Sequence, residues 1–305
     1  MSTAEKIELR ERRVGEILDA AIKLAFRNIK VLFPLAAALT LPVQLVSGFL
    51  FSTVDPTIQE SLTKWQEALT NLEPGSAIPS PKFTDAQIGA VAVGGALSLL
   101  SSILVTAALT HVVSRLILTG KAGARESLVV ALKRAPAFLG ANLLLALTVG
   151  LPLAVVAGIG VLSGSTALFG LLVMAGVVLM LFLIVRFTVA TQCVIVETAG
   201  PLRALKRSFG LVKGSWWKVF GTTIVIGLVA SIPAQLISQA LKELLKSLGG
   251  NNSTFEFIWS AIAATVSTAL VSPISAAAAV FLYFDLRIRR EGFDLEQLAA
   301  SLPEL

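Results

Sequence analysis

The sequence predicts an all-α fold: a polytopic membrane helix bundle of about six transmembrane helices, with cytoplasmic interfacial amphipathic helices attached. Three observations predict it. Of the 305 residues, 55% are hydrophobic and only 14% charged, against about a quarter charged in soluble domains, so too little polar surface exists to wrap a water-soluble fold of this size. The mean hydropathy is +0.82, and the apolar residues gather into six runs of the ~20 residues needed to cross ~30 Å of hydrocarbon as a helix. The 25 lysines and arginines then fall in an alternating pattern between those runs.

The expected spans are roughly residues 31–52, 88–118, 139–162, 166–188, 218–241 and 257–283. The second and fourth runs continue to about Thr119 and Val196, which predicts tilted helices or helices extending past the bilayer. Seven basic residues precede the first span, five lie from Arg115 to Arg134, five from Arg203 to Lys218, and Arg287, Arg289 and Arg290 follow the last span. The alternate connections hold only Lys64, Lys82, Lys242 and Lys246. Because positive loops stay on the cytoplasmic side, both termini are expected in the cytoplasm and the chain in the plasma membrane. A missed span would scramble that alternation. The net charge of +6 is thus topological, and no nucleic-acid partner is expected.

The chain reads as one integral membrane domain over 1–305, with a cytoplasmic or interfacial helix in 1–30, an external loop at 53–87 and a cytoplasmic tail at 285–305. The first 30 residues are charge-rich and lack a short apolar core followed by a cleavage site, so no cleaved signal peptide is expected. In the external segment, Ile58, Leu62, Trp65, Leu69 and Leu72 have helical spacing, and Pro74, Pro79 and Pro81 then break regularity. A short external helix with an irregular return is expected there, a solvated loop being the simpler reading and a binding cap the alternative.

Val14, Ile17, Leu18, Ala21 and Ala25 share one helix face, with Arg12, Glu16, Asp19, Lys23, Arg27 and Lys30 opposite, the pattern of a helix lying in the headgroup plane. Residues 126–139 (ESLVVALKRAPAFL) and 200–213 (GPLRALKRSFGLVK) both contain Ala-Leu-Lys-Arg and both lead into an odd-numbered span. Three copies of one unit are suggested, each an interfacial helix, a span, an external turn and a returning span. The competing reading is that any membrane hairpin with a basic entry helix looks this way.

The stretch from Arg186 to Gly221 carries an arginine, an apolar run ending at Glu197, Gly200, the helix Ala204 to Ser208, Gly214 and an entry tryptophan, Trp217. With VGEILDAAIKL (Val14–Leu24) and LYFDLRIRREGFDLE (Leu282–Glu296), it resembles a bacterial family of uncharacterised membrane proteins labelled glycerophosphoryl diester phosphodiesterase membrane domain-like. In members that are phosphodiesterases, catalysis belongs to a separate soluble barrel with paired carboxylates, histidines and a metal. This sequence offers one histidine, so the resemblance implies the membrane scaffold alone, in a bacterial inner membrane.

No phosphate-binding glycine loop, nucleophile elbow or metal-ligand cluster occurs, and the single Cys193 and single His111 exclude an intrachain disulfide and any site needing several such ligands. No enzyme activity, cofactor or metal is therefore expected. The candidate lipid-headgroup or partner contacts are Lys133, Arg134, Arg186, Arg203, Lys206, Arg207 and Lys213, with anionic lipids the expected partner and a membrane or cytoplasmic protein the other. Arg186 stands out because ionisable groups within spans are costly, although snorkelling to lipid phosphate would relieve it. Glu197 and Asp285 are candidate structural ion pairs, Glu197 with Arg203 or Arg207, Asp285 with an arginine of a neighbouring repeat. Tyr283, Phe284, Trp216 and Trp217 are expected at headgroup level. His111 and Arg115 share a face but lack an acidic partner, which favours a structural role over a proton relay. The function expected is a non-enzymatic scaffold or lipid-binding protein. The alternative is a carrier or channel for a small or lipid-like solute, supported by Arg186, the His111–Arg115 pair and the in-span prolines.

Overall fold

The computed structural model describes residues 10–70, 83–162, 166–249 and 253–293. Among them are nine helices and no strand: α1 (Val14–Arg27), α2 (Ile29–Thr70), α3 (Asp85–Thr119), α4 (Ala124–Leu162), α5 (Thr166–Phe187), α6 (Ala190–Val196), α7 (Pro201–Val212), α8 (Trp216–Gly249) and α9 (Ser253–Glu291). The fold is an all-α helical bundle, and six of its helices are long and apolar enough to cross a membrane, as in a multi-pass membrane protein.

The helices gather into two compact units. One comprises Met1–Ala36, Ile103–Pro233 and Leu270–Leu305, the other Ala37–Ser102 and Ala234–Ala269. In the second, Gly48 lies against Phe257, where an added Cβ would meet the Phe257 carbonyl at 3.4 Å, and Phe49 meets the Phe257 ring edge-on at 5.8 Å. The Ser101 hydroxyl donates to the Leu39 carbonyl at 3.1 Å, joining α3 to α2. In the first, α4 packs along α5, and α7 lies against α4, α5 and α6. Gly140 permits that approach, since a Cβ there would come within 2.9 Å of the Pro201 ring at the start of α7.

α9 is the most buried of the six long helices. Helices in lipid gain little from burying apolar surface against each other, so close packing decides the centre of a bundle. The small residues Ala276, Ala277 and Ala278 supply that closeness and are buried, followed by Val280 through Leu286, also buried. Tyr283 and Phe284 are therefore core residues and not headgroup anchors, as their chemistry alone had indicated.

Several helix boundaries differ from expectation. α2 continues without a break from the first span through Ile58 and Trp65 to Thr70, where a separate external helix is expected. Ser52 to Pro56 supplies no glycine at which a helix reverses, and a proline removes one backbone hydrogen bond yet fits a helix that bends. The return at Pro74, Pro79 and Pro81 lies outside the described residues. Residues 126–139 are likewise not a separate interfacial helix but the first turns of α4, running on through Pro136. Conversely the fourth run divides, α5 ending at Phe187 and α6 beginning at Ala190. Of the three repeat copies, only the first and third have a distinct entry helix, ended at Asn28 and at Gly214 respectively.

The apolar face of α1 is occupied by protein: Ile17, Ala21, Leu24 and Ala25 are buried, while Asp19, Lys23 and Arg27 are exposed. On α7, Ala204, Leu205, Ser208, Leu211 and Val212 are buried in the same way. These helices are thus docked on their own chain, where the expected reading lays them on lipid.

Gly214 joins α7 to α8 at φ +82°, with the Arg290 guanidinium so near that an added Cβ would lie 2.5 Å from its Nη2. An L-residue in the left-handed region costs about 1–2 kcal/mol, while the Arg290 guanidinium, at the end of a flexible side chain, can shift at little cost. Gly214→Ala is expected to destabilise the protein by about 1–2 kcal/mol in detergent unfolding, whereas Gly210→Ala, with nothing within 4 Å of the new Cβ, carries no such penalty. Equal effects would show that the turn carries no such strain.

Candidate functional site

The end of α9 presents two polar faces. Tyr283, Arg287 and Glu291 recur at intervals of four, so they stack on one side, while Asp285 and Arg289 stack on another. Each face gathers partners from other elements of the first unit.

On one side is Asp285, whose side chain has 0% exposure. The Arg12 backbone N–H donates to its Oδ1 at 2.7 Å, and Lys218 Nζ and Arg289 Nε donate to Oδ2 at 2.5 and 3.1 Å. Lys218 Nζ also donates to the Arg12 carbonyl at 2.8 Å. The backbone of Arg12 is thereby held at both its polar groups, which fixes the segment leading into α1. Arg289 reaches on to Glu11 at 2.6 Å, and the Arg12 guanidinium lies 5.1 Å from the Phe281 ring centroid. The cation from another repeat is a lysine, where the expectation was an arginine. Lys218 wins because the first turn of α8 brings a long, flexible ammonium to the carboxylate. The arginine that Asp285 does bind is on its own helix.

On the other side Glu197, at the end of α6, accepts from Arg207 Nε with both oxygens at 3.0 Å and from the Tyr283 hydroxyl at 2.7 Å. Arg207 Nη2 donates to Glu291 Oε2 at 2.7 Å, Nη1 pairs with Glu291 Oε1, and Arg287 Nε donates to Glu291 at 3.0 Å. The Arg287 guanidinium packs 3.9 Å from the Phe293 ring centroid. The Glu291 hydrogen bonds, aided by those of Glu197, hold the Arg207 guanidinium charged beyond its already high ordinary value. Two cations and two carboxylates close on themselves. Arg207 is consequently a structural residue and not a headgroup contact, and of the two partners considered for Glu197 the structure selects Arg207. The residue after Glu197, Thr198, sits at φ 52°, a costly conformation for a β-branched side chain. Its carbonyl accepts from Arg134 Nη1 at 3.3 Å, tying the turn to α4.

The remaining candidates divide by pairing. Lys133, Arg203, Lys206 and Lys213 are exposed and have no carboxylate partner among the described residues; Arg134 spends one donor on Thr198. Arg125, Glu126, Val129, Val130 and Lys133 line a shallow concavity on the first turns of α4. Arg186 sits between two phenylalanine rings, Phe182 and Phe209, with no carboxylate among the described residues. Trp217 is exposed, and Trp216 stacks on Phe220 at 5.0 Å. His111 Nδ1 and Ser127 Oγ lie 2.9 Å apart, with the donor set by the imidazole tautomer, and the contact joins α3 to α4. Among the described residues no group of three or more His, Cys, Asp or Glu side chains is placed to hold a metal ion.

Residues that the sequence did not single out complete the site. Lys218 and Tyr283 read as an entry lysine and a belt aromatic, and Glu291 as one of several charges in a tail. Tyr283 and Glu291 share a face of α9, but no spacing links either of them, or Lys218, to the partner it meets on another element.

Breaking a buried ion pair by removing one partner costs about 3–5 kcal/mol, whereas an exposed i,i+4 pair contributes about 0.3–0.5 kcal/mol. Asp285→Asn keeps the shape and strands Lys218 and Arg289, so it is expected to lose about 3 kcal/mol in detergent unfolding. Lys23→Gln, which breaks the exposed pair with Asp19, should change stability by less than about 0.5 kcal/mol. Similar values for the two would remove Asp285 from its structural role.

No curated protein and no solved structure matches the chain. The match that exists is to the family model described as Domain of unknown function (DUF7847), which spans residues 13–286 and so includes α1, Glu197, Arg207, Lys218 and Asp285; the chain belongs to that family.

Proposed function

We propose that this is a non-enzymatic scaffold of the bacterial inner membrane that holds anionic lipid headgroups on a basic cytoplasmic collar, with both termini in the cytoplasm. The observation that carries the reading is the unequal use of charge in the first unit. Glu197, Asp285 and Glu291 pair among helices, while Lys133, Arg203, Lys206 and Lys213 are exposed and, with the half-buried Arg134, have no carboxylate partner among the described residues. Each cation near an anionic leaflet contributes about 1 kcal/mol of attraction. The exposed faces of α1 and α7 then meet the headgroups with their charges while their apolar faces stay docked on the protein. The alternation of basic residues along the sequence supports the cytoplasmic placement, and the resemblance to glycerophosphoryl diester phosphodiesterase membrane domain-like proteins supports the bacterial one.

The test is lipid selectivity in nanodiscs of mixed anionic and zwitterionic composition. Replacing Lys133, Arg134, Arg203 and Lys206 with glutamine together should reduce enrichment of anionic lipid around the protein at least ten-fold, and about 0.5 M salt should do the same to the unmodified chain. Unchanged enrichment sinks the reading. For orientation, Lys64→Cys and Lys206→Cys in a Cys193→Ser background are expected to react in intact cells with a membrane-impermeant thiol reagent only at position 64. Labelling at 206 alone would invert the topology.

A carrier for a small solute is the second reading. It is favoured by Thr110 Oγ1, Gln192 Oε1, Thr223 Oγ1 and Ser272 Oγ, which are buried without a partner among the described residues on four helices of the first unit. Polar groups of this kind line solute paths. The scaffold reading requires that vesicles containing the protein leak small solutes no faster than empty ones, and faster flux would replace it with the carrier.

A further inference from the structure

α5 ends on a cation with no carboxylate partner among the described residues. Arg186 stands in its last turn, inside a stretch long and apolar enough to cross a membrane. The guanidinium carbon lies 5.1 Å from the Phe182 ring centroid and 4.5 Å from that of Phe209. Nη1 makes one long hydrogen bond, 3.4 Å to the Phe209 carbonyl, at an exposed position, while Nε is buried with no partner among the described residues. The Ser208 hydroxyl donates to the Arg186 carbonyl at 2.9 Å, which locks the backbone of this turn against α7. An arginine has five N–H donors, and among the described residues most of those of Arg186 are unspent. The ring faces attract the cation but do not supply a counter-charge, and near hydrocarbon a cation without one is costly.

The surface leading to Arg186 is apolar and open. Leu171, Met174, Val178 and Phe182 precede it at spacings that put all of them on the same side of α5. The first three are 64%, 68% and 62% exposed. From Leu171 to Arg186 the helix runs about 22 Å, more than the ~15 Å of one hydrocarbon leaflet. Beside this lane Trp216 stacks on Phe182 at 6.1 Å, and Trp217 is 78% exposed. Rings of that kind favour the boundary between lipid and water.

We propose that α5, α7 and the start of α8 form a binding site for one membrane phospholipid, with its phosphodiester on the Nη groups of Arg186 and an acyl chain along Leu171, Met174, Val178 and Phe182. The planar guanidinium fork matches two phosphate oxygens, and the apolar lane matches the tail, so a single occupant answers both observations. The site rests on the membrane placement in the reading above but not on the collar. Its ligand atom is the phosphodiester shared by zwitterionic and anionic phospholipids, so headgroup charge is not selected.

Native mass spectrometry of the full chain from non-ionic detergent, titrated with a zwitterionic phosphocholine lipid, tests it. One lipid is expected to stay bound after a wash in about 0.5 M salt, where screening weakens exposed contacts. Arg186→Gln should lower its affinity at least ten-fold, and Arg186→Lys, which keeps the charge and loses the fork, should fall between. The four-site collar variant should retain that lipid, so loss of anionic enrichment without loss of this lipid, or the reverse, tells which of the two readings has failed. Wild-type retention by Arg186→Gln would overturn the site. So would displacement of the lipid by millimolar inorganic phosphate, which would assign the pocket to a free anion. Should Arg186→Gln fail to fold, Arg186→Lys carries the test, and wild-type affinity in that variant would overturn the phosphate fork.

Discussion

The Asp285 carboxylate is removed from solvent, and three N–H donors from the α1 lead-in, α8 and its own helix converge on it. In water-soluble bundles the burial of apolar stripes would already hold such elements together. Where lipid is as apolar as the neighbouring helix, that drive is absent, and polar contacts with a strict geometry carry more of the specification. A carboxylate buried at the end of the most buried helix serves this purpose: it penalises every arrangement in which Lys218 or Arg12 is elsewhere. The Glu197, Arg207, Glu291 and Arg287 network does the same for the α6–α7 turn from the opposite side of α9. The last three turns of one helix therefore fix the positions of four other elements.

The economy of charge follows from that arrangement. Burial of ions is tolerated where the network is neutral and its lone pairs are satisfied, and both conditions are met around Arg207. Glu197, Asp285 and Glu291 are thereby consumed between helices. What faces outward is a surplus of lysine and arginine, created less by an abundance of cations than by the withdrawal of their counter-charges. A count of charges along the sequence shows the surplus but cannot show which cations make it up.

That distinction marks how far the sequence could be read. The six long helices were legible because hydrophobic length is a property of contiguous residues, and so was the need of Glu197 and Asp285 for partners, since a lone acid in a basic or apolar setting must find one. Of the partners, Arg207 was one of the two read for Glu197, and the others were not legible. Lys218 and Tyr283 are brought in by helix packing, and neither sits at a local spacing from the acid it binds. Helix breaks were also misread, in both directions. Prolines at 56 and 136 look like stops yet lie within helices, while the break between Phe187 and Ala190 has neither glycine nor proline to announce it. The apolar faces of α1 and α7 matched lipid and protein equally well in one dimension, and tertiary packing chose protein.

Arg186 and Arg207 show most directly what the coordinates add. They lie 21 positions apart in one basic segment and, from sequence, were equal candidates for a headgroup. Arg207 holds two carboxylates, so an incoming anion would have to compete with Glu197 or Glu291 for its donors and leave that carboxylate without its cation. Arg186 has rings on two sides and, among the described residues, only a distant carbonyl as acceptor, so an anion would displace no carboxylate described there. The same side chain is therefore a closed joint at one position and an open receptor at the other, and the difference lies wholly in what the neighbouring helices already supply.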